Sequence, residues 1–198
     1  MNMKSILIAV PTYESIEPQT FKSIWDLKKP EGYKVDFDFV EGYGISHARN
    51  KIVKKAIREQ YDYVFMVDSD MVLPSEALVM LLSTGKDFIS GWCQLRGAMG
   101  TGFASFVKNK EDQTEMKIED LGIEKGAFPI WLTGFSCTLV KTSLFLSIAE
   151  DEWFKYGILG LHGLLGEDYY FCGEAQKRGF SIYIHSLVRC GHIKKIVI

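Results

Sequence analysis

Through the first half of the sequence, short apolar runs alternate with stretches whose apolar residues recur every three or four positions. Residues 5–10 (Ser-Ile-Leu-Ile-Ala-Val) are continuously apolar up to Pro11, the pattern of a strand covered on both faces. A helix is predicted over 18–28, with Pro18 tolerated in its first turn. Residues 35–40 alternate apolar and acidic, which predicts a strand with one wet face and puts Asp36 and Asp38 toward water. Ser46 is a candidate N-cap for a helix reaching Glu59 that buries Ala48, Ile52, Val53, Ala56 and Ile57. Residues 63–67 (Tyr-Val-Phe-Met-Val) predict a second fully buried strand. Pro74 and Ser75 open a further helix that closes near Gly85, and Phe88 and Ile89 begin the next strand. Such alternation predicts an α/β fold, a parallel sheet with helices on its faces.

The second half is less regular. Residues 97–102 are read as a flexible loop and 103–118 as strand or hairpin. A strand is predicted over 130–140, then a helix starting near Thr142 or Ser143. Gly157, Gly160, Gly163 and Gly166 punctuate a segment expected to be mobile, either a lid over a ligand or a plain surface loop. A helix over 167–178 is stopped by Gly179, and short strands at 181–184 and 187–189 end the fold. No repeat, low-complexity tract or linker interrupts residues 1–198, so one domain is expected.

Composition narrows the function classes. Of 198 residues, 47% are hydrophobic, 13% aromatic and 24% charged, which excludes a disordered or fibrous chain. Lys and Arg number 23 against 25 Asp and Glu. That balance argues against broad attraction to nucleic acid or an anionic membrane, while leaving room for a local basic groove. No uncharged apolar stretch reaches the ~18 residues of a membrane span. Cys93, Cys137, Cys172 and Cys190 form no Cys-x-x-Cys pair, so they are read as reduced, mostly buried thiols of a cytoplasmic protein.

Chemistry concentrates at a few places. Asp68-Ser69-Asp70 directly follows the second buried strand. Residues two apart in extended backbone project to one side, so both carboxylates can converge at the strand's carboxyl end, where open parallel sheets bind ligands. Two adjacent acids repel, and a divalent cation relieves them. Asp36-Phe37-Asp38 has the same spacing in a different context and serves as the control. Arg49 sits in the first turn of its helix, where the dipole disfavours a cation. A nearby pyrophosphate would explain it, and so would an ion pair with Asp68. Pro11, Thr12, Tyr13 and Glu14 leave the first strand; Tyr13 can stack on a base or simply be a half-exposed residue. Glu167 and Asp168 follow Gly166 at a helix start, as dipole-stabilised caps or as a general base. His192 follows the last strand and suits either a mixed oxygen and nitrogen metal shell or a structural role.

The order Val10-Pro11-Thr12-Tyr13, Ala48-Arg49-Asn50, Asp68-Ser69-Asp70, Gly166-Glu167-Asp168 and His192 resembles nucleotide-sugar glycosyltransferases of the GT-A fold, family 2-like. Gly91-Trp92 and Thr133-Gly134-Phe135 extend the resemblance over essentially the whole chain. It implies a nucleotide-binding half at 1–95 and an acceptor and catalytic half at 96–198. Pro11, Thr12 and Tyr13 would line the base, with Glu14 beside them, and Arg49 would lie near the nucleotide. Asp68, Ser69 and Asp70 would hold ribose and a divalent metal, Mn2+ or Mg2+, with His192 as a further ligand. Gly134 and Phe135 would border sugar and acceptor, and Asp168, beside Glu167, would be the base. The implied reaction moves one sugar from a nucleoside-diphosphate sugar, UDP by default, to an unidentified acceptor hydroxyl with inversion. No C-terminal membrane helix and no Gln-x-x-Arg-Trp motif is present, which argues against processive synthesis.

A nucleotidyltransferase is the competing enzyme class, but residues 11–16 carry neither the Gly nor the Lys of its phosphate loop. A non-catalytic module that binds sugar nucleotides or glycans is the competing binder. Asp68, Asp70, Asp168 and His192 together disfavour it.

Overall fold

A computed structural model describes residues 3–13, 15–95, 102–111, 115–123, 125–150, 153–159 and 163–193. The first half runs β1 (Lys4–Thr12), α1 (Pro18–Trp25), β2 (Tyr33–Glu41), α2 (Ile45–Arg58), β3 (Tyr63–Val67), β4 (Met71–Val72), α3 (Ala77–Ser83) and β5 (Phe88–Cys93). The second half contains β6 (Phe103–Val107), β7 (Glu115–Lys117), a 3-10 turn at Ile118–Ile123, β8 (Ala127–Ile130) and β9 (Leu132–Thr133). It continues through β10 (Cys137–Lys141), α4 (Thr142–Leu146), β11 (Gly157–Leu159), β12 (Gly163–Leu165), α5 (Glu167–Lys177) and β13 (Ile182–His192).

The central sheet has the order β2-β1-β3-β10-β5-β13-β4, with β8 paired to β13. β1 runs parallel to β2 and β3, and β5 parallel to β13, while β10 lies antiparallel between β3 and β5. The sheet is thus mostly parallel, as the alternation of elements implied. Its continuous apolar strands serve two cores. Leu7 and Ala9 of β1 face the core shared with α2, α4 and α5, whereas Ile6, Ile8 and Val10 face the core under α1 and α3. Period-two side-chain alternation in a sheet covered on both faces requires this division. No helix among the described residues is long and apolar enough to cross a membrane.

Several expectations need correction. The strand predicted over 130–140 is three pieces. β8 pairs with β13, β9 joins β6 and β7 in a separate small sheet, and β10 enters the central sheet. One apolar run cannot reveal that its parts pair with different partners. The described residues of the glycine-rich segment form an antiparallel hairpin, β11 with β12; 160–162 lie outside the described residues. The strands expected at 181–184 and 187–189 are one, β13, with a register shift between Ile184 and Arg189. α1 stops at Trp25 rather than residue 28. Gly44, not Ser46, is the N-cap of α2. Most of the loop predicted at 97–102 lies outside the described residues, beginning again at Gly102.

Candidate functional site

The parallel strands deliver their carboxyl ends to one edge of the sheet. There β1 and β2 finish side by side, Thr12 opposite Glu41, and the amide of Gly42 donates to the Thr12 carbonyl at 3.1 Å. Gly42 is needed for space: a Cβ there would lie 2.6 Å from the Ala48 backbone nitrogen. The first turn of α2 is thereby pressed against the strand ends. Pro11 is buried and Tyr13 is 65% exposed at this edge; Glu14 lies outside the described residues.

Arg49 is the hub. It is 3% exposed, and its Nη2 donates to Asp68 Oδ1 at 2.8 Å while Nη1 donates to Glu167 Oε1. Its guanidinium lies 5.4 Å from the ring centroid of Phe135 and 5.8 Å from that of Phe154. Burial alone would lower the Arg49 pKa, but Asp68, Glu167 and Asp168 outweigh it and raise the pKa. The cation in the first helical turn is therefore explained by carboxylates from two places distant in sequence, the turn after β3 and the start of α5. Nε of Arg49 is buried without a hydrogen-bond partner.

Asp68 and Asp70 do not converge by strand alternation. The Met71 amide bonds the Asp68 carbonyl at 3.2 Å, closing a turn, so the extended-backbone argument does not apply. Asp68 faces Arg49, and Asp70 Oδ2 lies 3.5 Å from His192 Nε2. Ser69 accepts the Glu17 amide at 2.9 Å through its carbonyl, tying the turn to the start of α1. Burial raises the Asp68 pKa, with Arg49 opposing and Asp70 adding to the rise. At His192 burial disfavours the imidazolium, yet hydrogen bonding to Asp70 and Cys93 overrides it and pushes the pKa up to about 9. Among the described residues no three His, Cys, Asp or Glu side chains gather as a ready-made metal cage.

Asp168 stands in the first turn of α5. Its Oδ1 accepts the Tyr169 amide at 2.8 Å, so one oxygen occupies an amide of the first helical turn, while the N-cap is Gly166 and has no side-chain cap. Oδ2 lies 3.5 Å from where a Cβ would project from Gly134. Gly166, with φ of -58°, needs no special backbone conformation, but a Cβ there would meet Asp168 Oδ1 at 2.8 Å and push that carboxylate aside. Burial raises the Asp168 pKa, Arg49 opposes it and Glu167 adds to it. Glu167 itself is buried and committed to Arg49. Phe135 is fully buried beneath the guanidinium rather than at an open surface.

Sequence reasoning missed Phe154. Its amide donates to Asn50 Oδ1 at 3.1 Å and its carbonyl accepts Asn50 Nδ2 at 2.8 Å and Ser46 Oγ at 2.5 Å. Asn50 thus grips both polar groups of one residue as a neighbouring strand would. The ring of Phe154 stacks on Phe171 at 4.7 Å and covers Arg49. The signal was Trp153-Phe154, an apolar pair set among charged residues, but nothing in sequence linked it to Asn50.

No protein-family model matches the chain, and no curated protein matches its sequence. Solved structures do match its fold. A197 from STIV aligns with a TM-score of 0.66 at 16% identity, covering 98% of this chain and 87% of that one. GalNAc-T7, crystallised with UDP, GalNAc and Mn2+, aligns at 0.60 and 10% identity, over 98% of this chain and 45% of its own. Residues 1–349 of S. aureus TarS align at 0.55 and 18% identity, over 96% and 60%. The chain therefore spans less than two thirds of the last two, both GT-A glycosyltransferases. It has the GT-A-like fold that its motif order resembles.

Proposed function

We propose that this chain is a glycosyltransferase that moves one sugar from a UDP-sugar to an acceptor hydroxyl with inversion. The observation that carries the reading is the union of Asp68 and Glu167 on one buried Arg49, which holds Asp168 beside the ends of the parallel strands. Pro11, Thr12 and Tyr13 would border the base, with Glu14 and Ser69 nearby. Gly134 would face the reacting groups across from Asp168.

Asp70 and His192, with Asp68, would hold Mn2+ or Mg2+. Asp70 Oδ2 and His192 Nε2 lie 3.5 Å apart as an ion pair, so a cation would bind both only by displacing the His192 proton. Cations of this type take their remaining ligands from phosphate and water, so a full protein cage is not required. Once bound, the cation would neutralise charge on the departing diphosphate. Asp168 would take the acceptor proton as the acceptor oxygen bonds to the anomeric carbon and the bond from that carbon to the diphosphate breaks. Arg49, pinned from both sides, keeps α5 and the Asp68 turn in register during this step.

A base must be ionised to act. With the Asp168 pKa raised above 3.8, activity rises with pH through that higher value, so the acidic limb of the rate profile lies above the ordinary aspartate range. The test is nucleotide release from a panel of UDP-sugars with hydroxyl acceptors. Asp168→Asn is expected to lower transfer about 10²-fold or more while UDP affinity and melting temperature stay nearly unchanged. Near-normal transfer by this variant would contradict the assignment of the base.

A further inference from the structure

We propose that two copies of this chain pair through the outer edge of β2 and the aromatic patch beside it, about a twofold axis at Val35. The inference goes beyond the glycosyltransferase reading and does not depend on it. β2 ends the central sheet: β1 pairs with its inner side, and among the described residues no strand pairs with its outer side. The strand is nine residues long, contains no proline and keeps an unbroken register with β1 from Tyr33 to Glu41. An edge that long and regular presents a row of unpaired amides and carbonyls to another strand.

Beside the edge lies an exposed aromatic surface. Alternation sends Val35, Phe37 and Phe39 toward α1, and Phe21 and Trp25 of that helix extend the row. Ring centroids of Phe21 lie 6.3 Å from Trp25, 6.4 Å from Phe37 and 6.3 Å from Phe39, with Phe37 and Phe39 4.5 Å apart. The four rings are between 38% and 78% exposed. At about 200 Å² per aromatic side chain, that leaves roughly 400 Å² of ring surface in water. A stable interface takes about 800 Å² from each partner, so the rings supply half and the strand edge with its flanking side chains the rest. A cleft of about 420 Å³ lined by Trp25, Val35 and Phe37 opens between α1 and β2, room for an aromatic ring from across the axis.

Charge picks out a second copy as the occupant. Lys34 and Asp36 lie on the other face of β2 and pair there at 2.7 Å. A copy arriving antiparallel about Val35 sets Lys34 opposite the partner's Asp36, and Asp36 opposite the partner's Lys34, so unlike charges alternate around the axis. The same register sets Tyr33 against the partner's Phe37 on the aromatic face, a favourable cross-strand pair. Moving the axis to Lys34, Asp36 or Asp38 opposes that residue with itself, and moving it to Phe37 opposes Asp36 with Asp38. Like charges directly opposite are destabilising. Such self-complementarity is what a twofold contact requires and what an unrelated peptide lacks.

Sedimentation velocity over a concentration series reads the dimer. Wild type is expected to shift toward dimer as concentration rises, whereas Lys34→Asp and Trp25→Asp each raise the dissociation constant about tenfold or more. Asp36→Lys should dissociate likewise, and mixing it with Lys34→Asp should restore a dimer, because the mixed pair again opposes unlike charges at both positions. Under mild oxidation Val35→Cys should cross-link to its own copy, and Glu41→Cys, opposite Lys29 in this register, should not; the four native cysteines are buried. Melting temperatures check folding, and Lys34→Asp and Val35→Cys carry the test even if Asp36→Lys, which gives up the Tyr61 hydrogen bond, folds poorly. A wild type that stays monomeric throughout the series would overturn the proposal and leave the patch to a different partner. A dimer untouched by Lys34→Asp and Trp25→Asp, or cross-linked through Glu41→Cys and not through Val35→Cys, would also overturn it by placing the contact elsewhere.

Discussion

Asp36-Phe37-Asp38 and Asp68-Ser69-Asp70 have one spacing and two fates. The first lies inside β2, where alternation holds, and both acids point to the same side. That side is partly wet, as the alternating pattern suggested, each acid being about a third exposed, but it also meets the α2 side: Asp36 accepts the Tyr61 hydroxyl at 2.8 Å and Asp38 pairs with Lys55. Phe37 and Phe39 take the opposite side and pack on Phe21 of α1. The second triplet leaves its strand in a turn, and its acids separate, Asp68 to Arg49 and Asp70 to His192. The electrostatics follow. Hydrogen bonding from Lys34 lowers the Asp36 pKa, whereas burial raises that of Asp68. Spacing alone does not make a site; a strand end that splits two acids between different elements is what distinguishes the second pair.

If that distinction is right, damage to the two regions should differ in scale. The largest loss is expected from Arg49→Ala, which strands Asp68 and Glu167 as buried charges without their partner. Removing one side of a buried pair costs about 3–5 kcal/mol, visible as a shifted urea midpoint. A loss below about 1 kcal/mol would mean that Arg49 is not the element joining the two halves.

Asn50→Ala comes next. It removes both side-chain hydrogen bonds to Phe154, while Ser46 still reaches the carbonyl. A cost of about 1–2 kcal/mol is expected, with faster hydrogen exchange at the Phe154 amide as its local signature. Unchanged exchange there would show that the clamp does not order this segment.

Asp38→Asn should do least. Its pair with Lys55 is about 30% exposed on each side, and such pairs contribute no more than about 1 kcal/mol. Its melting temperature should move little. A loss comparable to that of Arg49→Ala would erase the contrast between the two triplets.

Much of the first half was legible because its signals are local. Residues 5–10 and 63–67 declare buried strands by continuous apolarity, and Gly85 closes α3 with φ of +65°. Gly179, with φ of +84°, likewise ends α5 where a helix stop was read. The second half depends on partners far away in sequence. Nothing within 130–140 says that Leu132 pairs with Val107 while Leu139 pairs with Phe65 and Ile89. The site divides in the same way. Arg49 was singled out by a local conflict with the helix dipole, and Asp68 was already among its suggested partners. Glu167 as the other partner, and Phe154 as the ring above, required the fold itself.

The most direct test of the central claim is a thermal-shift comparison with UDP, with and without Mn2+, on wild type, Asp70→Asn and Asp38→Asn. The account predicts that UDP with Mn2+ stabilises wild type and Asp38→Asn alike, by several degrees at saturating ligand. Asp70→Asn should lose most of the increment that depends on Mn2+. Retention of the full shift by Asp70→Asn, or its loss in Asp38→Asn, would contradict the assignment of the donor and metal site to the turn after β3.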